Sequence, residues 1–127
     1  MNFLPVKVVR QGNDFVLIGT GFDLGVPQIK KDKLESFDGH DIWFGIRPED
    51  IYDKSLTQGS TPGHTLTAQV EAVEPMGSEV FLHLVVGSEK IVARVNPKTE
   101  ACVGSPIQVV LDLGRMYAFD QSGNAVL

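Results

Sequence analysis

Regular alternation of apolar and polar residues in the second half of the chain is the feature that most restricts its fold. Apolar residues recur at every second position in three successive stretches, 64–72, 79–86 and 90–95. A period of two places neighbouring side chains on opposite faces, so each stretch predicts a half-buried β-strand and none predicts an amphipathic helix. The predicted inner face of the first stretch consists of Leu66, Ala68, Val70 and Ala72.

Turn-forming residues separate these strands. We expect Glu74-Pro75-Met76-Gly77-Ser78 to interrupt the sheet and Gly87-Ser88-Glu89 to form a tight turn. Thirteen glycines and seven prolines favour many turns and few helices. Short strands at a spacing of about ten residues predict an all-β fold, either an antiparallel barrel or a sandwich. The other predicted strands are 3–10, 15–19, 41–45, 107–111 and 116–119, with a short one around Gln28.

Three segments are predicted to be loops. The stretch from Thr20 to Pro27 is punctuated by glycine, and the run from Lys30 to Glu35 is charged without an apolar stripe. A charged run of this kind favours a solvated loop. The stretch from Tyr52 to Gly63 contains Ser, Thr, Gln, Gly and Pro, which is typical of a surface loop.

The stretch Gly45-Ile46-Arg47-Pro48-Glu49-Asp50 directly follows the apolar run Ile42-Trp43-Phe44. Pro48 fixes its own φ and biases Arg47 towards extended backbone, so Arg47 is predicted to lie at the end of a strand. Arg47 and Glu49 could pair with each other or reach another surface. A stiff turn whose charges face water is the alternative, and it stays open.

Composition restricts the class of protein. A chain of 127 residues predicts one domain with its own core, and a net charge of −5 disfavours nucleic acid as a partner. The single cysteine, Cys102, suits a reducing compartment, and we expect it to be a small core or turn residue. Without a membrane-length apolar run or signal-peptide features, the expected location is the cytoplasm.

The sequence predicts no catalytic, nucleotide or metal site. Gly19-Thr20-Gly21-Phe22 lacks the lysine and the helix of a phosphate-binding loop. His40, His64 and His83 match no zinc-binding spacing, and His83 is expected to be an ordinary surface histidine. Gly77-Ser78-Glu79 lacks the frame of a serine nucleophile. We therefore expect no enzymatic activity, cofactor or metal in this chain.

Three stretches carry a family resemblance. Gly45-Ile46-Arg47-Pro48-Glu49, Val73-Glu74-Pro75-Met76-Gly77-Ser78-Glu79 and Leu111-Asp112-Leu113-Gly114-Arg115-Met116-Tyr117-Ala118-Phe119-Asp120 occur in that order. Together they resemble the C-terminal regulatory domain of ATP-binding subunits of carbohydrate ABC importers, of the maltose, multiple-sugar and glycerol-phosphate type. The opening residues 1–5 are similar to the segment that follows the nucleotide-binding domain in that family, so we expect a fragment of a longer subunit.

The resemblance implies two interleaved halves of an OB-fold-like antiparallel barrel, of the transport-associated OB (TOBE) type that is also called MOP-like. Residues 1–127 would be a single non-catalytic regulatory domain, and ATP and Mg would belong to a nucleotide-binding domain that this chain lacks. The implied partners are a second copy of the subunit, the nucleotide-binding domain of the same chain, membrane permease subunits and, in some members, a regulatory protein. The domain would then lie peripherally at the inner face of the cell membrane.

The resemblance also assigns site residues. Gly45, Arg47, Pro48 and Glu49 are the signature or interdomain positions, and Gly39, Gly45, Glu74, Gly104 and Phe119 are the regulatory or dimer-contact positions. The glycines could instead supply turn conformations, and Phe119 could be a core residue.

Two alternative functions have sequence requirements of their own. A stand-alone molybdate-type oxyanion-binding barrel would need a short Ser, Arg and Asn motif, and Thr65-Leu66-Thr67-Ala68 lacks the cation. A nucleic-acid-binding OB barrel is disfavoured by the negative charge and by the scarcity of Arg–aromatic pairs.

Overall fold

The computed structural model describes residues 1–27, 30–57 and 64–126, in which ten strands form two five-stranded antiparallel sheets. The first sheet has the order β10-β4-β1-β2-β3 and the second the order β5-β9-β6-β7-β8. The predicted all-β, OB-like class is confirmed. The strands are β1 (Asn2–Gln11), β2 (Asp14–Gly19), β3 (Phe22–Gly25), β4 (Asp41–Ile46), β5 (Ile51–Asp53), β6 (His64–Met76), β7 (Glu79–Val86), β8 (Glu89–Val95), β9 (Pro106–Leu111) and β10 (Tyr117–Phe119).

The two sheets are interleaved along the chain. The chain leaves the first sheet after β4, builds the second sheet from β5 to β9, and returns to the first sheet as β10. On its return, β10 pairs antiparallel with β4, with Tyr117 opposite Gly45 and Phe119 opposite Trp43. Strand β10 is therefore held by β4, the strand that leads into the turn at residues 47–50 between β4 and β5, called here the Arg47 turn.

Both sheets contribute alternate side chains to one hydrophobic core. Leu4, Val6 and Val8 of β1 are buried in the same cluster as Leu82 and Leu84 of β7. Full burial of one such side chain contributes about 1.5–3 kcal/mol. The predicted period-two pattern is thus realised, with the apolar face of each sheet turned inward.

Asn2 joins the two sheets through its side chain. Its amide Nδ2 donates to the carbonyl oxygen of Val92 in β8 at 2.8 Å, and its Oδ1 accepts from the Val92 N–H at 2.8 Å. Strand β8 is the edge strand of the second sheet. At Val92, the Asn2 amide therefore makes the backbone hydrogen bonds that a neighbouring strand would make. The side chain is nearly buried, so both hydrogen bonds are sheltered from water.

Two predicted loops contain regular structure. The segment 20–27 contains β3, because Phe22 and Leu24 are buried at alternate positions. The predicted solvated loop 30–35 instead forms a short helix, α1 (Lys31–Leu34), followed by a 3-10 turn (Glu35–Phe37). Leu34 is fully buried and anchors this segment. Both elements are too short for a periodic pattern to reveal.

The predictions for the second sheet also need correction. Tyr52 lies in β5, which ends at Asp53 and is followed by a 3-10 turn (Lys54–Leu56), so 52–63 is not simply a loop. The strand β6 continues through Met76, so the predicted interruption begins only at Gly77. An irregularity between Val70 and Ala72 shifts the register, which leaves Ala72 half-buried. The predicted strand at Gln28 and the loop residues 58–63 lie outside the described residues.

Candidate interaction surfaces

An aromatic patch lies on the outer face of the first sheet. We define it as Phe3 of β1, Trp43 of β4 and Phe119 of β10. Phe3 and Trp43 are 51% and 38% exposed, and the rings of Phe3 and Phe119 meet edge to face with centroids 5.8 Å apart. With Gly123, the three rings line a shallow concavity of about 460 Å³. Large aromatic side chains left in water on one face are typical of a surface that contacts another protein.

Gly45 lies beneath this patch. It is a strand residue, and it is not among the glycines with positive φ in the described part of the chain. A Cβ at this position would lie 3.0 Å from the Met1 Sδ and 3.2 Å from Cε2 of Phe119. Gly45 therefore serves close packing of the patch, and the alternative that it supplies a turn conformation is wrong.

The Arg47 turn connects the two sheets. Arg47 has the extended backbone predicted from Pro48, with φ −79° and ψ 149°, and a 3-10 turn (Pro48–Asp50) leads directly into β5. The guanidinium carbon of Arg47 lies 5.3 Å from the ring centroid of Tyr117, a cation–π contact. No ion pair between Arg47 and Glu49 is found within the described residues.

Asp50 fastens this turn to the connection between β9 and β10. Its side chain is buried, the Arg115 Nε lies 3.9 Å from Oδ1, and the Asp112 N–H donates to its backbone carbonyl oxygen at 3.0 Å. Burial raises the pKa of the Asp50 carboxyl, and the nearby Arg115 guanidinium only partly opposes this. The sequence reasoning missed Asp50, whose only signal was its position between the charged turn and the apolar Ile51.

The remaining predicted site residues are dispersed. Gly39 and Gly104 have φ of +80° and +86°, and their N–H groups donate to the carbonyl oxygens of Val8 and Val70. Both positions thus meet the backbone requirement of a turn, which the alternative reading anticipated. Their assignment as contact residues remains a prediction.

Glu74 and Glu49 lie apart from the aromatic patch. Glu74 is exposed on β6, where its Oε1 lies 3.3 Å from Nε2 of His83, the surface histidine that the sequence predicted. Such an exposed pair contributes about 0–1 kcal/mol. Glu49 lines an open groove of about 530 Å³ together with Glu79 and Arg94. The structure brings Gly45 and Phe119 together but does not gather the other assigned residues into one site.

Other candidate groups carry little chemistry. Cys102 is exposed beside a turn, so its expected role as a core residue is wrong and its role as a turn residue holds. No group of three or more His, Cys, Asp or Glu that could hold a metal ion occurs in the ranges 1–27, 30–57 and 64–126. Over those same ranges, no helix is long and apolar enough to cross a membrane.

Comparison with known families divides the chain in two overlapping parts. Residues 1–51 match the MalK OB fold domain, and residues 44–119 match the TOBE domain. The chain belongs to the TOBE domain family. The two family matches overlap at residues 44–51, where the structure passes from the first sheet to the second. Neither of these two matched domain families is an ATPase domain.

Relatives of this TOBE domain are ATP-binding proteins of importers. It is 36% identical to the trehalose/maltose import ATP-binding protein MalK of Thermococcus litoralis, over 99% of the chain and 34% of that protein. It is 28% identical to the oligosaccharides import protein MsmX of Bacillus subtilis, over 94% of the chain and 32% of that protein. It is 29% identical to the multiple sugar-binding transport protein MsmK of Streptococcus mutans, over 100% of the chain and 33% of that protein. The chain spans about a third of the length of these relatives.

A solved structure supports the fold. The cytoplasmic molybdate-binding protein ModG superimposes with a TM-score of 0.68 over 92% of this chain and 94% of its own. The two share 15% sequence identity, so the likeness establishes a common architecture and carries no further argument about ligands.

Proposed function

We propose that this TOBE domain is the non-catalytic regulatory domain, over residues 1–127, of the ATP-binding subunit of a carbohydrate ABC importer. In this proposal the aromatic patch holds two subunits together. The importer relatives support the first part. The aromatic patch, in which Phe3 and Trp43 are exposed and Phe119 is half-buried, supports the second. ATP and Mg chemistry belongs to a nucleotide-binding domain elsewhere in the subunit, which would place this domain at the cytoplasmic side of the membrane with permease subunits.

A second copy of the chain is the proposed occupant of the patch. Two identical copies related by a two-fold axis present the same surface to each other, so an apolar patch on one meets an apolar patch on the other. Burial of aromatic side chains at the centre of such a contact supplies most of its free energy. The edge-to-face contact of Phe3 and Phe119 orders both rings before association, which reduces the entropic cost of binding.

The consequence for the transporter is mechanical. A lasting contact between the two TOBE domains keeps the two nucleotide-binding domains at a high effective concentration for each other. Their closure on ATP and their reopening then proceed as intramolecular steps. A regulatory protein that binds this domain and the adjacent nucleotide-binding domain in one arrangement would shift the population towards that arrangement.

Sedimentation equilibrium of the 127-residue chain tests the dimer contact. Replacement of Phe119 by Ala removes the ring that packs on Phe3, and we expect the dimer dissociation constant to rise by about ten- to a hundredfold. Met76, an apolar residue of β6 that is 54% exposed, gives the matched control M76A, which should leave the constant unchanged. A strictly monomeric parent chain at high concentration, or equal effects of both variants, would refute the patch as the interface.

The oxyanion-barrel alternative gains no support from the segment Thr65-Leu66-Thr67-Ala68. Leu66 and Ala68 of β6 are buried, so only the hydroxyls of Thr65 and Thr67 remain on the outer face. Calorimetric titration with molybdate separates the two functions. Micromolar binding would favour the alternative, whereas the proposed function expects none.

A further inference from the structure

A row of exposed residues crosses the outer face of the first sheet beside the aromatic patch. Lys7 of β1 has Asp41 of β4 and Ile18 of β2 as its strand partners. Ile18 in turn has Asp23 of β3 as its partner. Directly opposite residues of antiparallel strands project from the same face, and all four are exposed. Asp41 lies two residues before Trp43 along β4, so the row borders the patch directly.

The three rings of the patch are too small to form a dimer interface by themselves. A whole aromatic side chain buries about 150–250 Å². Since Phe3 is 51% exposed, Trp43 is 38% exposed and Phe119 is half-buried, the rings together can bury roughly 300 Å² at most. A standard interface buries about 800 Å² on each partner. A contact through the patch therefore has to include neighbouring side chains of the same face.

The charges of the row complement their own copy in one arrangement. Two identical sheets that pack face to face are related by a two-fold axis in the plane between them. An axis that runs between β1 and β4, parallel to both, exchanges the two strands. Lys7 of one copy then lies opposite Asp41 of the second copy, and the same contact forms twice.

An axis across the strands would give the opposite result. It would turn the row of one copy towards the other end of the face, where Arg47 lies over the ring of Tyr117. Lys7 of one copy would then approach Arg47 of the second copy, and opposed like charges are destabilising. The charges of the outer face therefore favour the axis along the strands.

The side chains of Lys7 and Asp41 are available for such a contact. Within 1–27, 30–57 and 64–126, the ion pairs include neither residue, although the two are strand partners. The side chain of Gln121 reaches only the backbone of Asp41, where Nε2 donates to the carbonyl oxygen at 3.0 Å. Charged groups at the rim of an apolar contact contribute to the choice of partner more than to affinity.

We propose that Lys7 of each copy pairs with Asp41 of the other copy, and that this reciprocal pair determines which surface the patch accepts. The inference rests on the dimer contact of the proposed function. The patch supplies the apolar area, and the pair excludes apolar surfaces that place a cation opposite Lys7 or a carboxylate opposite Asp41.

Two charge-reversal variants of the 127-residue chain, K7E and D41K, test the pair by sedimentation equilibrium. Each variant alone opposes like charges twice in its homodimer, so we expect the dimer dissociation constant to rise by about tenfold or more. In an equimolar mixture, both contacts of the mixed dimer again join opposite charges, and we expect association within about threefold of the parent chain. Positions 7 and 41 are also strand partners within one chain. Mixing leaves that internal contact unchanged, so recovery on mixing reports contacts between chains.

The matched control replaces D41K by D23K. Asp23 belongs to the same row and the charge change is equal, but β3 lies two strands beyond β1. The mixture of K7E with D23K should not recover the parent affinity. Equal recovery in both mixtures would show general charge attraction and overturn the pair. Parent-like affinity of K7E alone, or no recovery with D41K, would also overturn it, and the proposed dimer would still stand if F119A weakens the parent chain. A monomeric parent would refute both.

Discussion

Replacement of Gly45 by Ala tests whether glycine at this position is needed for close packing beneath the aromatic patch. The new Cβ would lie 3.0 Å from Met1 Sδ, 3.2 Å from Phe119 Cε2 and 3.4 Å from Tyr117 Cβ, whereas ordinary contacts begin near 3.4 Å. The flexible Met1 side chain can move aside at little cost. Phe119 must move by a few tenths of an ångström, and its edge-to-face contact with Phe3 resists that movement.

The expected magnitude of this change has two opposing parts. Ala in place of Gly stabilises a strand by about 0.5–1 kcal/mol through the unfolded chain, while overpacking costs about 1–3 kcal/mol. We therefore expect the free energy of unfolding, measured with urea, to fall by about 0–2.5 kcal/mol. We also expect about a tenfold weaker dimer in sedimentation equilibrium, because the displaced Phe119 ring no longer fits its partner.

The matched control for this change is G25A. Gly25 also lies in a strand, and its Cβ would meet nothing within 4 Å, so alanine should stabilise this position by about 0.5–1 kcal/mol without changing association. If G45A behaved like G25A in both measurements, close packing beneath the patch would not be the reason for glycine at position 45.

Two further predictions concern buried polar side chains. Replacement of Asn2 by Ala leaves the Val92 N–H and carbonyl oxygen without their 2.8 Å partners. We expect the free energy of unfolding, measured with urea, to fall by about 2–4 kcal/mol. The control N96A, at an exposed turn, should lower it by under about 1 kcal/mol. The raised pKa of Asp50 means that the folded parent chain loses stability as pH rises from about 4 and the buried carboxyl ionises. Asn at this position has no such ionisation. The variant Asp50→Asn should therefore gain stability relative to the parent chain as pH rises. Equal unfolding free energies of D50N and parent from pH 4 to 8 would refute this.

The alternating strands were predictable because a strand that is buried on one face has apolar residues at every second position of its sequence. Val80 and Leu82 of β7 are buried as the pattern requires. Elements shorter than about two periods carry no such signal, which is why β3, β5 and α1 were missed. The continuation of β6 through Pro75 also escaped prediction, since proline usually marks the end of a strand.

The candidate site was less accessible to sequence reasoning, because its residues meet only through strand register. Nothing in the order of residues shows that Phe3 packs on Phe119, 116 positions later in the chain. Nor does it show that the Asn2 amide reaches Val92. Buried polar residues such as Asp50 are likewise invisible, since a carboxylate in a turn is typical of the surface.

Strand β10 unites two stretches that the sequence presents as separate motifs. Tyr117 and Phe119 are alternate residues, so they project from the same face of the first sheet, towards the Arg47 guanidinium and the Gly45 backbone respectively. The glycine permits Phe119 to lie close to β4, and the arginine covers the ring of Tyr117 two residues away. The Arg47 turn and strand β10 therefore form one structural unit, in which Gly45 serves the proposed dimer surface and Arg47 packs on the ring of Tyr117.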